Sequence, residues 1–209
     1  MSNVRTYSKA KSKNESLSAN FKVGEFACHD GTDKILIDLD MIPVLQKIRD
    51  IGGAVTINSA YRTLSYNNKC GGATNSYHLK GQAFDIRCAN LSLDNLCRVA
   101  KALGVKGIIR YDSFVHIDSR TTKYHAKSTG AAYTIGAYTI PFVETIKLGS
   151  KGTNVGVVQF KLNKLGFACG NADCDCGNKT IAAIKEFQKA NGLVSDGICG
   201  KRTWNKLFN

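Results

Sequence analysis

Apolar residues along this chain fall into short, well-bounded patterns. Leu39, Ile42, Leu45 and Ile48 recur every third residue, which puts them on one face of a helix. Asp38 stands where a cap belongs, and Gly52-Gly53 stands where the helix must stop. Ala54 to Asn58 alternates and is β-branched, so a strand is expected to lead into a turn at Tyr61-Arg62. A loop containing Gly71-Gly72 follows, then a strand over Ala83 to Arg87. Leu91 to Leu103 is a second amphipathic helix, with Leu96, Val99, Ala100 and Leu103 inward and Gly104 closing it. Gly107 to Tyr111 and Phe114 to Asp118 read as short strands paired through a tight turn at Asp112-Ser113. Helices beside a small antiparallel sheet predict an α+β domain.

The ends of the chain read differently. Residues 1–16 are rich in Lys, Ser and Asn and predict a loose arm, followed by apolar anchors at Phe21, Phe26 and Cys28. From about Thr121 to Thr145 the pattern dissolves, and a doubled Tyr-Thr-Ile fits either a stiff linker or a strand finishing the first domain. Beyond Ile146, helix faces return: Val155, Val158, Leu162 and Leu165, then Ile181, Ile184 and Phe187, then Trp204 and Leu207. Asp173-x-x-Cys176-Gly177-x-x-Thr180 recurs as Asp196-x-x-Cys199-Gly200-x-x-Thr203, an internal repeat in which each Gly ends a turn and each Thr opens a helix. The expected organisation is a first domain over residues 1–125, a linker over 126–145, and a small all-α domain over 146–209 that folds by itself.

One stretch carries the candidate chemistry, Ser76-Tyr77-His78-Leu79-Lys80-Gly81-Gln82-Ala83-Phe84-Asp85. Its His and Asp are seven residues apart, too far for one helical face, so a loop bearing His78 must run into a strand bearing Asp85. Imidazole and carboxylate are both zinc ligands, and a catalytic zinc takes three protein ligands and leaves a position open. His116, in the strand Ser113 to Asp118, is the candidate third ligand.

Ser59-Ala60-Tyr61-Arg62, then Ser76-x-His78-x-x-Gly81-x-Ala83-x-Asp85, then Val115-His116-Ile117-Asp118, together resemble the zinc D-alanyl-D-alanine carboxypeptidase and endolysin peptidase family over about residues 17–125. The resemblance implies a Hedgehog-like D,D-peptidase fold and a zinc ion on His78, Asp85 and His116. It implies that Arg62 holds a substrate carbonyl or carboxylate, and that Ser76 either meets substrate or caps a turn. Many relatives place the general base three residues before the last histidine, where this chain has Ser113. Two aspartates remain: Asp118, on the same strand face as His116 and expected as base or as partner of a ligand histidine, and Asp112, at the turn. Residues 146–208 resemble the peptidoglycan-binding three-helix module through Gly149-Ser150-Lys151-Gly152, Val155 to Leu162, and Phe187-Gln188 through Asp196-Gly197. Cys176 and Cys199 stand where such modules often carry an aromatic residue, and a cystine between them is one way to replace that packing.

Charge agrees with a wall-directed reading. The net charge is +13, and both halves are basic: +8 up to Ile140 and +5 beyond it. A basic surface favours polyanionic partners. No Lys/Arg block with interleaved aromatic residues is present, so nucleic acid is not expected, and no stretch approaches the ~20 apolar residues of a membrane span. The polar first twenty residues predict a chain made without a signal peptide, reaching the wall as a phage endolysin released by a holin does, or by another route; a monomer is expected. Eight cysteines split evenly between the halves fit either disulfides or buried thiols. His29 and His125 match no motif and read as surface residues. The expected function is a zinc peptidase cutting an amide bond of the peptidoglycan stem, with a catalytically inactive wall-binding protein as the alternative.

Overall fold

A computed structural model describes residues 3–209, so Met1 and Ser2 of the expected arm lie outside the described residues. The arm is ordered. Strand β1 (Val4–Ser8) pairs antiparallel with β2 (Lys34–Asp38), a four-residue helix α1 (Lys9–Ser12) follows it, and Tyr7 is buried. Of the five β1 residues only Tyr7 is buried, so the segment carries too little apolar alternation to announce itself.

The helix expected from Leu39 begins as a 3-10 turn, Leu39–Met41, capped by Asp38, and continues as α2 (Ile42–Gly52). Next come β3 (Val55–Ser59), a short helix α3 (Leu64–Lys69), β4 (Ala83–Cys88) and α4 (Leu93–Leu103). Ser92 caps α4 through its side chain, and Gly104 closes it at a φ of 104°, a conformation that favours glycine. Strands β5 (Gly107–Arg110), β6 (Val115–Asp118) and β7 (Tyr124–Lys127) complete a five-stranded sheet in the order β3-β4-β6-β5-β7. All neighbours are antiparallel except β7, which runs parallel to β5. Strand β7 carries the sheet past residue 125, so the first domain ends later than the pattern predicts. Register divides the faces: Phe84 pairs with Ile117 and Ile86 with Val115 on the core side, while Asp85 pairs with His116 on the other.

The C-terminal segment forms α5 (Thr153–Lys164), α6 (Asn178–Ala190) and α7 (Lys201–Phe208). The internal repeat has a physical basis. Gln159 donates to Asp173 Oδ1, the Asp175 carbonyl and Thr180 Oγ1, and Gln188 donates in the same way to Asp196 Oδ1, the Ile198 carbonyl and Thr203 Oγ1. Both glutamines are buried, so each Asp and Thr of the repeat satisfies an amide that would otherwise be unpaired. All eight cysteines are thiols: Cys70 is exposed, Cys174 is half-buried and the other six are buried. Cys176 and Cys199 therefore pack as small apolar groups, and burial pushes the Cys199 thiol up to about 12.

The two halves share one hydrophobic cluster, which runs from Phe21 and Leu45 through Val158 to Trp204. Helix α5 lies against α2 at Gly156, where an added Cβ would stand 2.6 Å from both Pro43 and the Cys174 sulfur. Lys47 Nζ donates to Asn154 at 2.7 Å, the Ala172 amide donates to Asp40 at 2.9 Å, and the Trp204 indole donates to the Ile140 carbonyl at 3.0 Å. A self-contained module on a loose tether would not bury these groups. Calorimetry should therefore give one cooperative unfolding transition, and Gly156→Ala should lower its stability by about 1–3 kcal/mol through overpacking. Two separated transitions in the native chain would show the halves to be independent.

Candidate metal centre

Three elements bring the candidate ligands together. Asp85 and His116 are cross-strand neighbours on β4 and β6, which fixes their side chains on one face. His78 arrives on a 3-10 turn, Tyr77–Lys80, and Ser76 accepts from the His78 amide to cap that turn. Of the two roles open to Ser76, the structure displays capping. The turn leaves through Gly81 at a φ of 67°, where an added Cβ would also meet the Leu36 backbone at 2.5 Å.

The ligand atoms converge. His78 Nε2 is 3.2 Å from Asp85 Oδ1, His116 Nδ1 is 2.9 Å from the same oxygen, and the two nitrogens are 3.1 Å apart. A tetrahedral zinc with bonds of about 2.0–2.1 Å sets its ligands about 3.3–3.4 Å apart, so the cradle fits with a few tenths of an ångström of opening. All three residues are buried, and they form the one His/Cys/Asp/Glu cluster of metal-binding geometry among the described residues. Cys174-Asp175-Cys176 makes no such cluster.

Proton bookkeeping strengthens the fit. The Ala60 carbonyl, 2.6 Å from His78 Nδ1, can only accept, so Nδ1 carries the hydrogen and Nε2 is bare. On the other ring, His116 Nε2 donates to Asp118 Oδ2 at 3.2 Å, and hydrogen bonds to Asp118 and Asp85 raise the imidazole's pKa against the cost of burial, so without a metal Nδ1 holds a proton towards Asp85. Once that proton is lost, two lone pairs and a carboxylate oxygen point at one another. That arrangement is repulsive unless a cation or proton sits among them, which is the environment a metal ligand set presents. Burial opposes ionisation of Asp85, but its contacts with His116 and His78 hold it well below the usual carboxylate range. Arg62 holds the other Asp85 oxygen at 2.6 Å and is steadied by Ser59 at 2.8 Å, so it aims Oδ1 at the histidines.

The two candidate bases are placed apart. Asp118 is wholly buried on the far side of the His116 ring from Asp85. Its Oδ1 accepts from the Arg120 amide and Nε, and its Oδ2 from Arg120 Nη2 and His116. Burial raises its pKa, yet these donors hold it at about 2. Gly107 faces it across the sheet, and a Cβ there would come within 2.0 Å of the carboxylate. Asp112 is fully exposed at the β5–β6 turn, 3.8 Å from Arg110. Arg110 also pairs with Asp94 of α4, on the sheet face opposite His116, so Asp112 is not brought to the centre.

Two residues absent from the expected set stand at the site. Arg120 lies over the rings of Tyr77 and Tyr124, at 4.8 and 4.5 Å, while it grips Asp118. Its parity with His116 and Asp118 was the available sign. Tyr111 stacks on Phe114 at 4.4 Å on the His116 side of the hairpin; burial and the Asp85 charge push its phenol up. A cleft of about 750 Å³ runs from Tyr77, Ser119 and Arg120 to Asn163 and Lys164 of α5, and none of the three candidate ligands lines it.

Comparison with known proteins agrees with this geometry. Residues 19–118 match the Peptidase M15 family, and residues 151–207 match a putative peptidoglycan binding domain. The chain is 31% identical over 98 residues to the peptidoglycan L,D-endopeptidase MepK of Escherichia coli, covering 42% of this chain and 54% of MepK. It is 36% identical over 78 residues to the N-acetylmuramoyl-L-alanine amidase CwlM of Mycobacterium tuberculosis, covering 37% of this chain and 19% of CwlM. The crystal structure of the Burkholderia AP3 phage endolysin matches 31% of this chain and 24% of its own at 38% identity, with a TM-score of 0.30. The chain thus spans about half the length of MepK and a fifth of CwlM. By the ordered motifs and the two family matches, the chain joins a domain that matches Peptidase M15 to a C-terminal domain that matches a putative peptidoglycan binding domain.

Proposed function

We propose that this protein is a zinc peptidase that hydrolyses an amide bond in the peptide stem of peptidoglycan, held to the wall by its C-terminal domain. The observation that carries the reading is the convergence of His78 Nε2, His116 Nδ1 and Asp85 Oδ1, each aimed by an outer partner. His78, Asp85 and His116 would hold the ion, which supplies Lewis-acid chemistry and activation of water near neutral pH. The likeness to MepK favours an endopeptidase over a carboxypeptidase.

The protein's own groups have distinct tasks. Arg62 fixes Asp85 and Asp118 fixes His116, so both act as positioning residues, and Arg120 holds Asp118 in turn. With both its oxygens occupied, Asp118 has no lone pair to offer an attacking water, which favours the orienting role over that of base. Tyr111 stays protonated at neutral pH and can donate a hydrogen bond to charge developing on the scissile carbonyl. Tyr111→Phe should lower kcat by about 10²–10³-fold, the usual cost of one such donor, with zinc content and KM unchanged. An unaltered kcat would remove Tyr111 from the reaction.

The function is tested by incubating the zinc-loaded protein with purified peptidoglycan and titrating newly freed amino groups. Their appearance supports the reading. Full zinc occupancy with no new amines would favour the inactive wall-binding alternative.

A further inference from the structure

A basic groove lies away from the His-Asp-His centre, where the two domains meet. Two adjoining cavities, of about 210 and 480 Å³, share Lys101, Lys123 and His125 as a common wall. The smaller cavity adds Lys106 from the peptidase domain and Lys161 and Lys164 from α5. No Asp or Glu lines either cavity. Among the described residues, none of these five lysines is ion-paired with a carboxylate.

Three of the lysines are held in place. Lys101 Nζ donates to the Ile135 carbonyl at 2.5 Å, Lys161 to Ala102 at 2.7 Å and Lys164 to Ser119 at 2.6 Å. An ammonium has three N–H donors, and although Lys164 also donates to the Arg120 carbonyl at 3.3 Å, each of these keeps at least one donor to spare. Capping the C-terminal end of α4 explains Lys161, whose partner Ala102 lies in its last turn. It does not explain why Lys106, Lys123 and His125 gather beside it. The cluster is strained electrostatically: burial and then Lys123, Lys101 and Lys106 push His125 down, and burial and Lys106 push Lys161 down to about 8. His125 is half-buried here, not the surface residue its lack of a motif predicts. Asp38, Asp40 and Asp118 offset the charge of Lys164 from outside the lining, and the other like charges, collected in a concave site, favour an anion.

We propose that this groove binds a linear phosphodiester polymer of the bacterial wall, with successive phosphates against Lys106, Lys123, Lys101 and Lys161. The wall as source rests on the proposed function; the anion chemistry does not. Two cavities with a shared cationic wall suit a chain better than a lone ion. A nucleic acid would also need free aromatic faces for its bases. The groove's two tyrosines are committed, Tyr124 against the Arg120 guanidinium and Tyr133 to Asp94 through its hydroxyl.

The test uses the full zinc-loaded chain and the variant Lys106→Gln/Lys123→Gln, neither residue being part of the catalytic machinery. Inorganic phosphate, lipid-free poly(glycerol phosphate) and a single-stranded oligonucleotide of equal charge are titrated while the His125 imidazole resonance is followed by NMR. The expected result is a His125 shift with poly(glycerol phosphate), at an affinity at least about tenfold above inorganic phosphate per phosphate group, as several contacts on one chain require. In the double variant the slope of log affinity against log salt should shrink by about 1.4–1.8, for two lost phosphate contacts. Hydrolysis of a soluble muropeptide should be unchanged. A silent His125 with all three anions would overturn the site. Inorganic phosphate binding as well as the polymer would reduce it to a single-ion site and overturn the polymer. Oligonucleotide binding at equal strength would overturn the wall as source. Polymer binding without muropeptide hydrolysis would count against the proposed function and leave this groove standing.

Discussion

Replacing His116 by alanine is expected to strip the protein of zinc and abolish hydrolysis while leaving it folded. The ring contributes Nδ1 to the cradle, and no other His, Cys, Asp or Glu among the described residues stands ready to replace it. Structural zinc in small peptides is bound with about 10–16 kcal/mol through four ligands, so one ligand contributes roughly 2.5–4 kcal/mol, or about 10²–10³-fold in affinity. Loss of the open-site geometry should then remove turnover at any ordinary zinc concentration. Elemental analysis and circular dichroism on the same sample check both halves of the expectation. Full zinc content in the folded variant would remove His116 from the centre.

The second large effect concerns Asp118→Asn, which separates two roles for one carboxylate. If Asp118 orients His116, zinc affinity should fall by about 10–100-fold and activity should return when zinc is raised by the same factor. If it were the base, zinc would stay bound and turnover would fall by roughly 10²–10⁴-fold without rescue. The occupied oxygens predict the first outcome. Stability should change with it. The folded carboxyl lies at about 2, below its ordinary 3.8, so its ionised form stabilises the fold above the ordinary value. The difference of nearly two pKa units corresponds to about 2 kcal/mol. Wild type should exceed Asp118→Asn by that amount at neutral pH, and the gap should close as pH falls from about 4 through about 2. A gap that persists below that range would mean that the lost stability is not the carboxylate's charge.

The convergence of His78, Asp85 and His116 is legible in the sequence because their spacing has few structural solutions. His78 and Asp85 are seven positions apart, which on one helix would separate them by about 10 Å, too far to share an ion, and Val-His-Ile-Asp alternation makes His116 a strand residue on a definite face. Register does the rest, since β4 and β6 pair Asp85 with His116 directly. The groups that aim the ligands are less visible. The Ala60 carbonyl is backbone and leaves no trace in residue type. Arg120 is readable only as the next same-parity position after Asp118. Asp112 misleads because proximity in sequence to His116 is undone by the turn, which directs it towards Arg110.

Docking of the C-terminal domain is hidden for another reason. A three-residue period marks one stripe of α2, but Pro43 and Lys47 are buried as well, because α5 covers a second side of the helix, and Gln46 is buried against Ser18 and Asn20. The pattern sees one partner surface and has no measure of a second. Helix α3 escapes notice because only Asn67 of its six residues is buried, so it carries no apolar period.

The most direct test is mass spectrometry of purified muropeptides after incubation with the protein, first stripped by a chelator and then reloaded with zinc. The reloaded protein should yield stem fragments that each carry one new amine or carboxylate end, and the stripped protein none. Intact muropeptides in both samples, or cleavage that persists unchanged after zinc removal, would contradict zinc-dependent hydrolysis of the stem.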